Sequence, residues 1–391
     1  MPTRPTTEDK PEAIDLPLSG VRVVALEQAV VAPFCTRQLA DMGADVIKIE
    51  RPGGDLARHY DGALNGVSAY FAWLNRGKRS IVLDVKDARG HETCEQLLAR
   101  ADVFVHNLAP GAVERLGFGY DKLAARHPQL IWCGISGYGP DGPYRDRKAY
   151  DMLVQAEAGI ISMTGTEDAP AKVGVSIADI GGGLYAYSSI LAALLNRAKT
   201  GRGDRIDISM FECMTEWMSP PLNVYLGTGR TPGRAGVRHN MVVPYGAYRC
   251  ADGDVMLAVQ TDREWRRLCS AVLGDAALAD DARFVTNEKR VMNREELERS
   301  IQARFAGFTR AEITRKLESA DIPTAVVNAV AAVVSHPQLA ARERWIDAES
   351  YAGSFKALAP PHNLSGAPSR PGRVPAVGEH TAEILAELAG A

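Results

Sequence analysis

Two rhythms of apolar residues run along the first half of the chain. Short unbroken runs at 21–26, 80–85, 103–106 and 130–136 read as strands covered on both faces, and 45–50 and 205–209 add two more. Between them, helical patterns lie at 33–42, 88–100 and 121–126. Pro33 suits a first helical turn, and Gly43 stops that helix before the next strand. Strands alternating with helices predict an α/β fold with a mostly parallel sheet and helices on both faces.

The pattern breaks around residue 179. A short β-like segment leads into Asp179, then Gly181, Gly182 and Gly183, then an apolar run from Leu184 with helical spacing as far as 198. Residues 211–236 turn to tryptophan, methionine, proline and glycine without a period and read as a connector. A hairpin is expected at 243–259, turning on Ala251-Asp252-Gly253-Asp254. Helical stretches at 262–273, 293–305 and 309–320 follow, and together these form a smaller α+β unit. The expected division is a disordered lead-in at 1–17, a large domain at 18–210, the connector, a small domain at 237–325, and a return path at 326–391. The last helix begins near Gly378-Glu379-His380-Thr381, with Thr381 as its cap.

Bulk properties narrow the function. A net charge of −3 gives no reason to expect nucleic acid or a membrane as partner. Six cysteines are scattered without C-x-x-C spacing, which fits reduced thiols in a cytoplasmic protein and offers no metal site. The first βαβ unit has Rossmann length, yet its turn reads Glu27-Gln28-Ala29-Val30-Val31-Ala32-Pro33. Without glycines a dinucleotide pyrophosphate cannot approach that backbone, which excludes an NAD enzyme. Serine-hydrolase and Cys-His patterns are absent as well.

Candidate chemistry centres on Asp179. A carboxylate at a strand-to-helix junction is either a plain N-cap or a nucleophile whose glycines let a ligand reach the backbone. Amides at the helix start, around Gly181 and Gly182, could hold an oxyanion. Arg51, Lys86 and Lys148 fall at element ends, and Arg115 in a helix or loop, as a phosphate grip or as surface charge. Asn107 follows a strand and offers an amide to a ligand or simply turns the chain. Arg234, Arg238 and His239 form a basic loop that suits an acidic substrate or is a solvated cluster.

Several short motifs in this order resemble class III coenzyme A transferases, the CaiB/BaiF group that includes formyl-CoA transferase and the α-methylacyl-CoA racemases. They include Gly43-Ala44-Asp45-Val46-Ile47-Lys48-Ile49-Glu50, Asn75-Arg76-Gly77-Lys78-Arg79-Ser80, Gly137-Tyr138-Gly139-Pro140 and Gly378-Glu379-His380-Thr381. The resemblance implies a Rossmann-like large domain, a smaller α+β domain, and two chains interlocked as a homodimer. It implies Asp179 as nucleophile, and CoA contacts at Arg51, Leu83, Lys86, Asn107, Arg115, Lys148, Tyr150 and Asp151. CoA esters and carboxylic acids are then substrates, with no resident cofactor.

Two departures from the family pattern stand out: Val31 replaces a glutamine of formyl-CoA transferase, and the glycine-rich lid has no counterpart near 259–261. The racemases carry a histidine where Tyr150 stands, and a tyrosine with a pKa near ~10 is a poor base. The expectation is therefore a CoA transferase, with Arg238 and His239 facing a short dicarboxylic acid. A racemase and a non-catalytic CoA-ester binder are the alternatives.

Overall fold

The computed structural model describes residues 16–367 and 371–390, so the expected lead-in lies outside the described residues except for its last two. The chain divides into two compact units. The larger takes the described residues up to 158, then 174–217, then those from 341 on; the smaller takes 159–173 and 218–340. The stretch 159–173, which the sequence placed in the large domain, thus belongs to the smaller unit.

Among the described residues of the larger unit, β1 (Arg22–Leu26), β2 (Asp45–Glu50), β3 (Arg79–Val82), β4 (Val103–His106), β5 (Ile131–Ser136) and β6 (Arg205–Ser209) form one sheet. Their order is β3-β2-β1-β4-β5-β6, and every pairing is parallel. This is the doubly wound order, whose direction reverses between β1 and β4, and ligands of such sheets bind outside the strand ends at that reversal. One core cluster joins Val24, Leu26, Ile47, Phe104 and Trp132 of the strands to Leu97 and Leu98 of the helix Ala88–Leu98 and to Ile384 of the last helix, Thr381–Ala389. Strands buried on both sides explain their unbroken apolar runs.

Several expected elements change. The strand expected to reach 85 stops at Val82, where its register with β2 ends at Glu50. Thr381 is the first residue of the last helix rather than its cap, and its hydroxyl accepts the Val82 N–H at 3.2 Å. The connector is helical, as Met210–Trp217 and Ser219–Thr228. The return path contains an antiparallel hairpin, β10 (Trp345–Ser350) with β11 (Gly353–Leu358).

The smaller unit is α+β. β7 (Tyr245–Cys250), β8 (Gly253–Ala258) and β9 (Thr324–Val326) form an antiparallel sheet. Trp265, Leu297, Ile301, Phe305, Ile313 and Leu317 from its helices pack against Tyr248, Val255 and Leu257. Thr261 and Thr309 start two of those helices with capping boxes completed by Glu264 and Glu312.

Candidate active site

Asp179 lies inside a helix, not before one. The helix runs Ile177–Thr200, and no strand precedes it. It is not its own cap either: its N-cap, Ser176, makes no side-chain bond. The cap comes from far away in sequence. Asp151, first residue of the helix Asp151–Glu157, accepts the Ala178 N–H at 2.8 Å and the Asp179 N–H at 3.4 Å on the same Oδ1. Its Oδ2 accepts from the Gln155 amide at 2.8 Å. Two carboxylates therefore meet at one helix start, where the partial positive charge of the exposed amides favours negative groups. Burial, then the charge of Asp151, pushes the Asp179 carboxyl up to about 7.

The three glycines serve packing. A Cβ on Gly181 would stand 2.7 Å from Met214 Cε, and one on Gly182 3.0 Å from Val31 Cγ2. On Gly183 it would stand 2.7 Å from the Val31 carbonyl oxygen. Glycine here lets the helix Val31–Asp41 lie against the first turns of the helix that carries Asp179. The amides of Gly181 and Gly182 fall past the first four of the helix, so each bonds the carbonyl four residues back. The expected oxyanion role for these amides is thereby corrected. The same helix is, by length and composition alone, apolar enough to cross a membrane, but Ala178, Ala186, Tyr187 and Ile190 are buried within the protein.

The expected CoA contacts in the larger unit gather on one edge. Arg51 follows β2 directly, Leu83 follows β3 with Lys86 just beyond, and Asn107 follows β4. Arg115 ends the short helix Ala112–Arg115 that comes next. In a parallel sheet the ends of β2, β3 and β4 all lie on the carboxyl edge. Lys148 and Tyr150 precede the Asp151 helix, and Tyr150 is 70% exposed. The Asn107 carboxamide is already engaged: it accepts the Gln28 N–H at 3.0 Å and donates to the Gln28 carbonyl at 2.8 Å.

The basic loop lies in the smaller unit, and its side chains already have partners there. Arg238 pairs with Glu298 at 3.2 Å, and Arg234 donates to the carbonyls of Thr166 and Glu167. His239 stacks on Tyr245 and its Nδ1 accepts the Met241 N–H.

A buried polar cluster behind the β1 turn escaped the sequence reading. Lys48 Nζ lies 2.7 Å from Asp55 and 3.4 Å from Glu27, and Lys78 Nζ lies 2.7 Å from Glu27. Arg58 grips Glu50, which also accepts from Ser80. The side chains of Lys48, Lys78, Glu27 and Asp55 are fully buried. Burial alone would raise Glu27, but Lys78 and Lys48 outweigh it and hold the carboxyl below its ordinary value. Burial pushes the Lys78 ammonium down to about 8. A signal existed: Lys48 stands mid-strand in an otherwise apolar run.

A doubly wound parallel sheet with polar side chains collected at its carboxyl edge, and a carboxylate in the first turn of a partly buried helix, define an α/β protein of the kind that takes ligands at that edge. The chain belongs to CoA-transferase family III, whose family model matches residues 18–381. It is 38% identical to a succinate–glutarate CoA-transferase of Agrobacterium fabrum over 384 residues, covering 95% of this chain and 96% of that one. An acetyl-CoA:oxalate CoA-transferase of Acetobacter aceti is 36% identical and covers 87% of each chain. Among solved structures, a CaiB/BaiF family protein from Brucella suis superposes with a TM-score of 0.83 at 38% identity, covering 96% of this chain and all of that one.

Proposed function

We propose that this protein moves CoA from an acyl-CoA donor to a short dicarboxylic acid, with Asp179 as nucleophile. The observation that carries the reading is the half-buried Asp179 carboxyl in the first turn of a helix whose leading backbone amides are held by Asp151. A nucleophile must be ionised, and a carboxylate with little water around it attacks a carbonyl more readily than a solvated one.

One Asp179 oxygen attacks the thioester carbonyl, the C–S bond breaks, and CoA leaves as thiolate. The thiolate then attacks the aspartyl carbonyl of the mixed anhydride, which releases the donor acid and leaves an aspartyl-CoA thioester. The acceptor carboxylate attacks that thioester and expels the thiolate again. Attack of the thiolate on the acceptor's acyl carbon completes the new CoA ester and frees Asp179. Arg51, Leu83, Lys86, Arg115, Lys148 and Tyr150 are the residues we assign to CoA. Support for a dicarboxylic substrate comes from the relatives named for succinate, glutarate and oxalate, since Arg238 is already paired with Glu298. An interlocked homodimer completes the proposal; light scattering returning a single chain mass would remove it.

The test is intact-protein mass spectrometry after brief mixing with succinyl-CoA, glutaryl-CoA and oxalyl-CoA, trapped with hydroxylamine. A hydroxamate at Asp179, absent from Asp179→Ala, is the expected result. No adduct, together with α-proton exchange in deuterated water, would reassign the protein as a racemase.

A further inference from the structure

We propose that Asp55 and Asn107 are positioning residues for acyl transfer: together they clamp the turn Gln28–Ala29 and so fix Val30–Val31 against the helix that carries Asp179. The proposal rests on Asp179 being the nucleophile.

The turn needs holding. It connects β1 to the helix Val31–Asp41 at the point where the sheet reverses, and Ala29 takes φ +60°, a left-handed conformation that disfavours a side chain. Val30, the N-cap of that helix, offers no side-chain bond. The missing bonds come from two neighbouring loops. Asp55 Oδ1 accepts the Ala29 N–H at 3.0 Å and the Ala57 N–H at 2.9 Å, while Asn107 takes the backbone N–H and carbonyl of Gln28. Asn107 thereby ties the turn after β1 to the end of β4 across the reversal.

The clamp is anchored from behind. Lys48 fixes the second oxygen of Asp55, Glu27 bridges Lys48 to Lys78, and the Glu27 carboxylate also accepts from Thr36 at 2.6 Å. Lys78 closes the set on the Asn75 carboxamide and the Pro33 carbonyl. Buried ion pairs of this kind rarely exceed an apolar core in stability, so their use is better sought in geometric definition. What they define reaches the reacting carboxylate. Val31 is the residue that Gly182 and Gly183 accommodate, and Ile180 packs with Val30, Phe34 and Leu74. Charged and titratable groups near this wall include Asp151 on the nucleophile's side, Arg37 over the Phe34 ring, and Tyr60, whose hydroxyl is raised by burial and then by the charges of Asp55 and Asp179, with Tyr150 and Tyr70 beside it.

The experiment compares Asn107→Ala and Asp55→Asn with the wild type in full-length protein, using succinyl-CoA and glutarate. Asn107→Ala removes the clamp without touching a buried charge; Asp55→Asn keeps an acceptor for Ala29 but releases Lys48. Expected for both is a fall in kcat of about tenfold to a hundredfold, with KM for the CoA ester changed less than about threefold, because the reacting groups are misplaced rather than unbound. The acidic limb of the pH profile also moves below 7, as water enters beside Asp179. A melting point lowered by about 5 °C or less shows that Asn107→Ala still folds.

A raised KM with kcat retained in Asn107→Ala would make it a CoA ligand and overturn the clamp. Unchanged kinetics in both variants would also overturn it, as would a lower melting point with kcat and the pH limb untouched. If the wild type forms no hydroxamate at Asp179, the functional reading fails first and takes the clamp with it. A hydroxamate formed at the wild-type rate in both variants removes the clamp alone.

Discussion

Asp179 sets folding against chemistry. Its carboxyl is held at about 7 in the folded chain against an ordinary 3.8. Between those values the folded state binds a proton that the unfolded state has released. This contribution to stability is therefore full below about pH 3.8 and is lost as pH rises through about 7. Asp179→Asn should melt higher than wild type at pH 8, by about 2–5 °C, and no higher at pH 4; calorimetry at the two values checks the sign. Activity should rise with pH to a plateau above about 7. Asp151→Asn keeps an acceptor for the helix amides but removes the neighbouring charge, so the limb of its pH profile should move to lower pH. A limb that stays in place would mean that burial alone sets it. The sequence exposed Asp179 by its setting before a run of glycines. It could not show the cap, because Asp151 stands 28 residues away and only the fold brings its Oδ1 to the Asp179 amide.

At the level of elements, the same substitution should have opposite effects in two helices. In Gly183→Ala the new methyl would meet a backbone oxygen at 2.7 Å, which no rotamer change can relieve. A cost of about 1–3 kcal/mol is expected in urea unfolding. Gly227→Ala, in the helix Ser219–Thr228 with nothing within 4 Å, should stabilise by about 0.5–1 kcal/mol, since alanine loses less backbone freedom on folding. Strands at 45–50, 103–106 and 205–209 were legible to the residue because their patterns are strong and local. The glycines at 181–183 were misread because the reason for them is another helix, and no local pattern announces a packing partner.

For the whole molecule, the buried network predicts how the protein fails in acid. Glu27, Glu50 and Asp55 are each held below ordinary values of 4.5, 4.5 and 3.8: burial opposes this, but the facing lysines and arginine prevail. Their stabilisation is present above those values and is lost as pH falls through the depressed ones. Below pH 4 unfolding should therefore steepen, by up to ~4 kcal/mol per pH unit if all three take up protons together. Denaturant titrations between pH 2.5 and 5 read that slope. A slope equivalent to less than one proton would show that the network does not open as one.

The sequence by itself determined the α/β alternation, the direction of most strands, the turn of the β7–β8 hairpin and the place of Asp179 just ahead of three glycines. Each of these depends on residues within one or two elements, where periodicity and turn chemistry act. Tertiary structure decided which residues cap, clamp and neutralise. Asp151 caps a helix far along the chain, Asn107 and Asp55 hold the β1 turn, and Glu298 pairs with Arg238. Such partners are chosen by burial, since a polar group removed from water must find whatever the fold brings within hydrogen-bonding distance, however far along the chain it lies.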